Sequence, residues 1–189
     1  MATNIVETAA AAPVTVAPSR LLRTYVGGVQ IVTFDSRYRD DFRRLNVAWL
    51  QRYFKVEPID ARVLGNPEAE VLARGGEILF ALLHGPSGIE VVGTVGLRPE
   101  GTDAFELTKM AVDERHQGKG YGQFLLETAL VVAAERGMQR VVLYSQLSLK
   151  PAIALYYKNG FVKSPEALGE VYSRCDIKME RRVDPVIPA

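Results

Sequence analysis

Cysteine and histidine are scarce in this chain of 189 residues, which has one cysteine, Cys175, and two histidines, His84 and His116. A single cysteine excludes an intrachain disulfide, which suits a reducing compartment. Zinc is usually held by several Cys and His ligands close together. So small a supply argues against a dedicated zinc cage, and we expect no metal.

Neither an excess of one charge nor a long apolar run is present. Lys and Arg number 23 against 22 Asp and Glu, so nothing directs the chain toward nucleic acid or a membrane surface. No apolar stretch approaches the roughly 20 residues that cross a bilayer. Glu7 interrupts the Ala- and Val-rich start and no Lys or Arg precedes it, unlike a signal peptide. We therefore expect a soluble, cytoplasmic protein.

The length suits one well-buried domain and is short for two. The first residues, to about Ser19, are rich in Ala, Val, Thr and Pro. We expect a flexible tail over residues 1–20, one domain over residues 21–182 and a short tail over residues 183–189.

Hydrophobic periodicity and Gly or Pro breaks divide the rest of the chain. Helical spacing predicts helices over Arg39–Phe54, Gly120–Arg136 and Pro151–Lys158, and a shorter helical region around residues 63–72. Apolar, β-branched runs predict strands at Val29–Phe34, Glu77–His84, Ile89–Leu97, Ala104–Val112, Arg140–Ser145, Phe161–Lys163 and Tyr172–Met179.

This order predicts an α/β domain with a mixed sheet of about seven strands, largely antiparallel, flanked by about four helices. Residues 104–145 form a strand–helix–strand unit, for which a right-handed parallel crossover is expected. A doubly wound dinucleotide fold would alternate strand and helix from its start. The order therefore argues against that fold.

Three glycines alternate in the segment Gln117-Gly118-Lys119-Gly120-Tyr121-Gly122, between a strand and a long helix. Glycine permits positive φ and close approach of a ligand, and successive N–H groups can converge on an anion. The helix adds its free N–H groups and the positive end of its dipole. Lys119 and Arg115 could add charge at the rim. The loop suits a pyrophosphate.

Other interpretations of the loop fit less well. A Walker A loop needs Ser or Thr after Gly-Lys, where this chain has Gly120. The dinucleotide fingerprint needs a glycine where Gln123 or Leu125 stands. A tight turn that binds nothing remains the plain alternative.

The segment MAVDERHQGKGYGQFLL resembles the Q/R-x-x-G-x-G/A motif of GNAT-type N-acetyltransferases. The motif fits in two registers, starting at Arg115 or at Gln117, and we prefer Gln117 for its distance from Val112. A second segment, AIALYYKNGF at residues 152–161, is similar to the family's A-x-x-L-Y-x-x-x-G-F signature. The resemblance covers about residues 28–179. It implies the acyl-CoA N-acyltransferase (GNAT) fold, acetyl-CoA as co-substrate, an amine acceptor and, as is common in the family, a homodimer.

The resemblance also implies roles for individual residues. Glu106 would be the base for the amine, directly or through a water, although it could instead be solvated or paired with Lys or Arg. Tyr156 would donate a proton to the coenzyme A sulfur, although it could simply pack; Tyr157 is the less suitable candidate. The coenzyme-binding residues would be Met110, Ala111, Val112, Gln117, Gly118, Lys119, Gly120, Tyr121, Gly122, Gln123 and Gln146, with a backbone N–H near residues 110–112 facing the oxyanion.

One position departs from the family pattern, because Leu149 stands where members often carry Asn, and Gln146 is the nearest amide that could replace it. On the acceptor side the sequence specifies little. His84, His116 and Cys175 carry no motif and are expected to have structural or surface roles. An acceptor cleft could include Trp49, Tyr53, Phe54, Glu57 and Asp60, with the acids facing an amine, although Trp49 and Tyr53 also suit the core.

Two other functions remain open. The same fold could serve as a catalytically weak acyl-CoA sensor or interaction module, and thiol release with a panel of amines separates it from the enzyme. A nucleotide-binding Rossmann domain fails on strand order and glycine spacing. The acceptor could be a small metabolite, an antibiotic, a polyamine or a protein amine.

Overall fold

The computed structural model describes residues 17–166, 168 and 173–184. Within them eight strands form one mixed sheet with helices on both faces. The strands are β1 (Leu21–Thr24), β2 (Val29–Thr33), β3 (Glu77–Gly85), β4 (Gly88–Glu100), β5 (Ala104–Val112), β6 (Arg140–Ser145), β7 (Val162–Lys163) and β8 (Ile177–Arg182). The helices are α1 (Arg39–Tyr53), α2 (Pro58–Gly65), α3 (Pro67–Glu70), α4 (Tyr121–Glu135) and α5 (Lys150–Lys158).

The strand order is β1-β2-β3-β4-β5-β6-β8-β7. The pairs from β1 to β5 are antiparallel, β5 and β6 are parallel, and β8 pairs antiparallel with both β6 and β7. The predicted mixed, largely antiparallel sheet is therefore confirmed. Only the connection through α4 produces a parallel pair among the described strands, as the Ala104–Ser145 unit predicted.

Two apolar layers sandwich the sheet. On one face α4 buries Leu125, Leu126 and Ala129 against the strands, and α5 adds Ile153. On the other face α1 and α2 bury a second cluster that includes Phe42. At about 25 cal/mol per Å² of buried apolar surface, such layers supply most of the drive to fold. Residues of β5 belong to both layers, Phe105 and Leu107 to the first and Ala111 to the second.

Several boundaries differ from the prediction. Strand β1 was not predicted, because its residues are largely exposed and show no apolar alternation; α3 is a four-residue turn that raises the helix count to five. The last strand is Ile177–Arg182 rather than Tyr172–Met179. Its pairing with β6 runs from Ser145–Ile177 to Arg140–Arg182, which extends it past Met179. Tyr172 lies outside the described residues, as do residues 1–16 of the predicted tail 1–20 and residues 185–189 of the predicted tail 183–189.

Strand β5 contains a bulge that opens the sheet. Thr94 faces Ala111 and Gly96 faces Thr108, so two residues of β5 lie opposite one of β4. The first of them, Lys109, has φ of 51°. On the other side the pairing of β5 with β6 ends at Glu106–Val142. The second half of β5 therefore has an edge that no described strand covers.

No helix in residues 17–166, 168 and 173–184 combines the length and the apolar content that a bilayer crossing requires.

Candidate functional site

A cavity of about 680 Å³ lies where β5 and β6 stop pairing. Its walls are the second half of β5, the glycine loop, the start of α5 and the end of α1. The predicted site residues that line it are Glu106, Met110, Ala111, Val112, Gln117, Gly118, Gly120, Tyr121, Gly122, Gln146 and Tyr156. Residues that are 50 positions apart in sequence thus share one cleft.

The glycine loop adopts the backbone that its composition predicted. Gly118 has φ of 76° and Gly120 has φ of 87°, a region that L side chains rarely adopt. Gly122 instead lies in α4, where a side chain would contact the Met110 methyl group at 3.6 Å. The positive φ of the backbone therefore requires glycine at 118 and 120, whereas Gly122 leaves space between α4 and β5.

Helix α4 begins with donors that its own ladder does not use. The first α-helical bond at this end runs from the Phe124 N–H to the Gly120 carbonyl, 3.1 Å away. The N–H groups of Tyr121, Gly122 and Gln123 precede it, and Gly120 has no side chain to cap them. Such a terminus presents free donors and a positive dipole end, the arrangement that binds phosphate groups.

Side chains around the loop are largely engaged with the protein. The Gln117 side-chain amide donates to the Val112 carbonyl at 3.2 Å, which ties the loop to the end of β5. Lys119 Nζ lies 3.3 Å from His116 Nδ1. The Gln123 amide exchanges hydrogen bonds of 2.7 and 3.1 Å with Asn159, which follows the last residue of α5. Lys119 and Gln123 do not line the cavity. Lys119 could therefore act on a bound anion only through its charge at the rim, and Gln123 only through its backbone N–H.

Glu106 is buried, with 2% exposure, and lines the cavity. One carboxylate oxygen accepts a hydrogen bond of 2.5 Å from the Arg98 guanidinium on β4. The sequence left pairing with an arginine open as an alternative to catalysis, and the structure shows both the pairing and the position at the cavity.

Tyr156 lies on α5, and its ring centroid is 5.8 Å from that of Phe161. Burial raises the pKa of the Tyr156 phenol to about 12, because a buried phenolate would lose its hydration. The hydroxyl is therefore a neutral donor across the physiological range. The neighbouring Tyr157 is 52% exposed and lies outside the cavity wall.

The far end of the cavity is aromatic. Trp49, Tyr53 and Phe54 line it, and the Trp49 centroid is 5.5 Å from those of the other two rings. Asp60 lines it as well, but its carboxylate is already paired with cations of the chain. Glu57 lies behind this wall, where it pairs with Arg174 at 3.1 Å.

Several cavity residues were missed or given other roles from sequence. His116 and Cys175 were expected to be structural or surface residues, yet both line the cavity, as do Lys109 and Arg174. Burial raises the pKa of the Cys175 thiol to about 11. No local motif marks these residues, since strand pairing and chain reversal bring them together. His84 agrees with its expected surface role and contacts Gln30.

The amide that could replace the family's asparagine reaches the cavity. Gln146 lines it beside Leu149, and its side-chain oxygen accepts a hydrogen bond of 2.7 Å from Ser148. Across the described ranges, no group of three or more His, Cys, Asp and Glu side chains is arranged to hold a metal ion.

A family model described as the acetyltransferase (GNAT) family matches residues 34–161, more than half of the chain. The chain belongs to this family. N-acetyltransferase 8 of Rattus norvegicus is 34% identical over 90 residues, which are 45% of this chain and 40% of that protein. The chain thus spans less than half the length of the curated relatives it matches.

Solved structures show the same fold. An acetyltransferase of the GNAT family from Staphylococcus aureus superposes with a TM-score of 0.73 at 20% identity, covering 83% of this chain and all of that one. The structure of YncA from Salmonella typhimurium with its cofactor acetyl-CoA superposes with a TM-score of 0.63 at 20% identity. The superposition covers 86% of this chain and 98% of that one.

Proposed function

We propose that this chain is an acetyl-CoA-dependent N-acetyltransferase that acts on a primary amine, with one catalytic domain over residues 21–182. The observation that carries the proposal is the open edge of β5 beside a helix terminus with free N–H donors. A hydrogen-bonding edge next to an anion-binding terminus suits a ligand with amides at one end and a pyrophosphate at the other. Family membership supports this function.

The glycine loop and strand β5 bind different parts of acetyl-CoA. The N–H groups of residues 118–123 bind the pyrophosphate, with Lys119 at the rim. The backbone of Met110, Ala111 and Val112 pairs with the pantetheine amides along the uncovered edge. Gln146 completes the opposite wall.

The chemistry requires a neutral amine, because an alkylamine of pKa about 10 is almost wholly protonated at neutral pH. Glu106 takes the amine proton, directly or through a water. The amine nitrogen then bonds to the thioester carbonyl carbon, and a backbone N–H of residues 110–112 stabilises the oxygen that gains the charge. As the carbon–sulfur bond breaks, Tyr156 gives its proton to the sulfur, and the second proton that the nitrogen loses as the amide forms restores the Tyr156 phenol.

A titration followed by amine screening tests this proposal. Trp49 is the single tryptophan of the chain and lines the cavity, so its fluorescence should change when acetyl-CoA binds. Equal responses to NAD or ATP would contradict the donor assignment. Thiol release with a panel of primary amines then tests transfer, and coenzyme binding without turnover would favour the sensor or interaction module.

A further inference from the structure

Lys109 is the only non-glycine residue with positive φ in residues 17–166, 168 and 173–184. It occupies the bulge of β5, immediately before the segment that we assign to the oxyanion. A lysine in the left-handed region is strained relative to glycine, and such a conformation persists only where the surroundings hold it. The contacts of its side chain show what holds it.

The Lys109 ammonium is buried against a carboxylate. Its side chain is 5% exposed, and Nζ lies 2.7 Å from Oδ1 of Asp60, which is fully buried. Arg174 donates two further hydrogen bonds to Asp60, of 2.8 and 3.0 Å, and the Glu57 N–H donates a fourth at 3.1 Å. Asp60 therefore joins three parts of the chain: the bulge, the start of α2 and the residues before β8.

The arrangement exceeds what fold stability alone requires. A buried ion pair is often no more stabilising than an apolar pair of similar volume, but it fixes the mutual position of its members. Here both members line the cavity. The ion pair holds the Lys109 backbone, which directly precedes Met110. The direction of the Met110 N–H group therefore depends on the pair.

We propose that Asp60 is a positioning residue for acyl transfer, which acts through Lys109 to hold the bulge so that the N–H group of Met110 faces the reacting carbonyl oxygen. This inference rests on the proposed N-acetyltransferase function. It gives Asp60 a task other than meeting the acceptor amine, because its carboxylate oxygens already accept bonds from Lys109 and Arg174.

Four variants test the proposal. Lys109→Met removes the charge at the same backbone strain and leaves Asp60 bonded to Arg174, whereas Lys109→Arg keeps a cation at the same strain. Asp60→Asn removes the carboxylate charge. Glu166→Gln is the matched control, since it breaks a pair of 2.6 Å with the buried Lys178, and neither residue lines the cavity.

With the best amine found, Lys109→Met and Asp60→Asn should lower kcat by about 10- to 100-fold, the effect expected of a misplacement near 1 Å. The KM for acetyl-CoA should stay close to the wild-type value, Lys109→Arg should recover most of kcat, and Glu166→Gln should leave kcat unchanged. The amide chemical shifts of Met110 and Ala111 should move in Lys109→Met and return in Lys109→Arg.

Wild-type kcat in Lys109→Met would overturn the proposal, even if Asp60→Asn failed to fold. A rise in the KM for acetyl-CoA at constant kcat would overturn it as well, because the pair would then serve binding. Failure of the N-acetyltransferase function itself would appear differently, as a wild-type protein that turns over no amine. The amide shifts of the bulge would still decide whether the pair holds the strand.

Discussion

Replacing Tyr156 by phenylalanine removes one hydroxyl and keeps the ring that packs on Phe161. A positioned general acid contributes about 10²- to 10⁴-fold to a rate. A thiolate, whose parent thiol has a pKa of about 8.5, leaves with little help. We therefore expect a loss of kcat near the lower limit, about 100-fold, which corresponds to about 2.7 kcal/mol in the barrier.

The assay follows thiol release with saturating acetyl-CoA and amine, beside coenzyme binding and thermal unfolding. Tyr157→Phe is the matched control, because this neighbour is 52% exposed and lies outside the cavity wall. Cys175 adds little background to a thiol reagent, since burial raises its pKa to about 11. Turnover of Tyr156→Phe equal to that of Tyr157→Phe would refute the role as acid.

The pH profile provides a second check of the same group. An acid acts while it is protonated, and burial raises the pKa of Tyr156 to about 12. Because of this raised pKa the phenol stays protonated to higher pH, so kcat should not decline between pH 8 and about 11 through loss of this proton. A declining limb near pH 10 that disappears in Tyr156→Phe would show that burial does not protect the phenol.

Three further predictions concern the base, the loop and the strand end. Glu106→Gln should lower kcat about 100-fold at neutral pH and much less above the pKa of the amine, where no base is needed; an equal loss at both pH values would contradict the assignment. Gly120→Ala should weaken coenzyme binding about 5- to 30-fold in calorimetry, because φ of 87° costs a side chain roughly 1–2 kcal/mol; an unchanged Kd would show that coenzyme binding does not depend on this glycine. The Arg115 guanidinium lowers the pKa of Asp113 to about 2, so its stabilisation is complete above the ordinary Asp value and is lost as pH falls through the folded value. Urea unfolding of Asp113→Asn should approach the wild type as pH falls from 5 to 2, and a constant difference would disprove this linkage.

Local patterns predicted the parts of the fold that are local. The β5 strand was predicted at its observed bounds, and α4 within one residue at each end, because each is a contiguous run of one periodicity. Positive φ at Gly118 and Gly120 followed from the side chain that glycine lacks. Strand β1 was missed because its residues are largely exposed and form no apolar pattern in the sequence.

Pairings between distant segments could not be predicted. Nothing in the sequence links Asp60 to Lys109, or Arg98 to Glu106. The residues around Lys109 do not predict a bulge either, because a bulge residue with positive φ is usually glycine. Register decides these contacts, and register depends on the whole sheet. The cytoplasmic location, the homodimer and the role of each site residue stay predictions.

This difference explains why the donor could be predicted and the acceptor could not. A coenzyme with a fixed pyrophosphate and fixed amides is met by backbone groups, whose positions follow from glycines and a helix start within a few residues. An acceptor is met by side chains, and here Trp49 on α1, Lys109 on β5 and Arg174 before β8 meet across 125 positions of sequence. We therefore expect acceptor specificity to depend on how α1 and the residues before β8 lie on the sheet. Variants in those two segments should change the preferred amine while leaving the affinity for coenzyme A nearly unchanged.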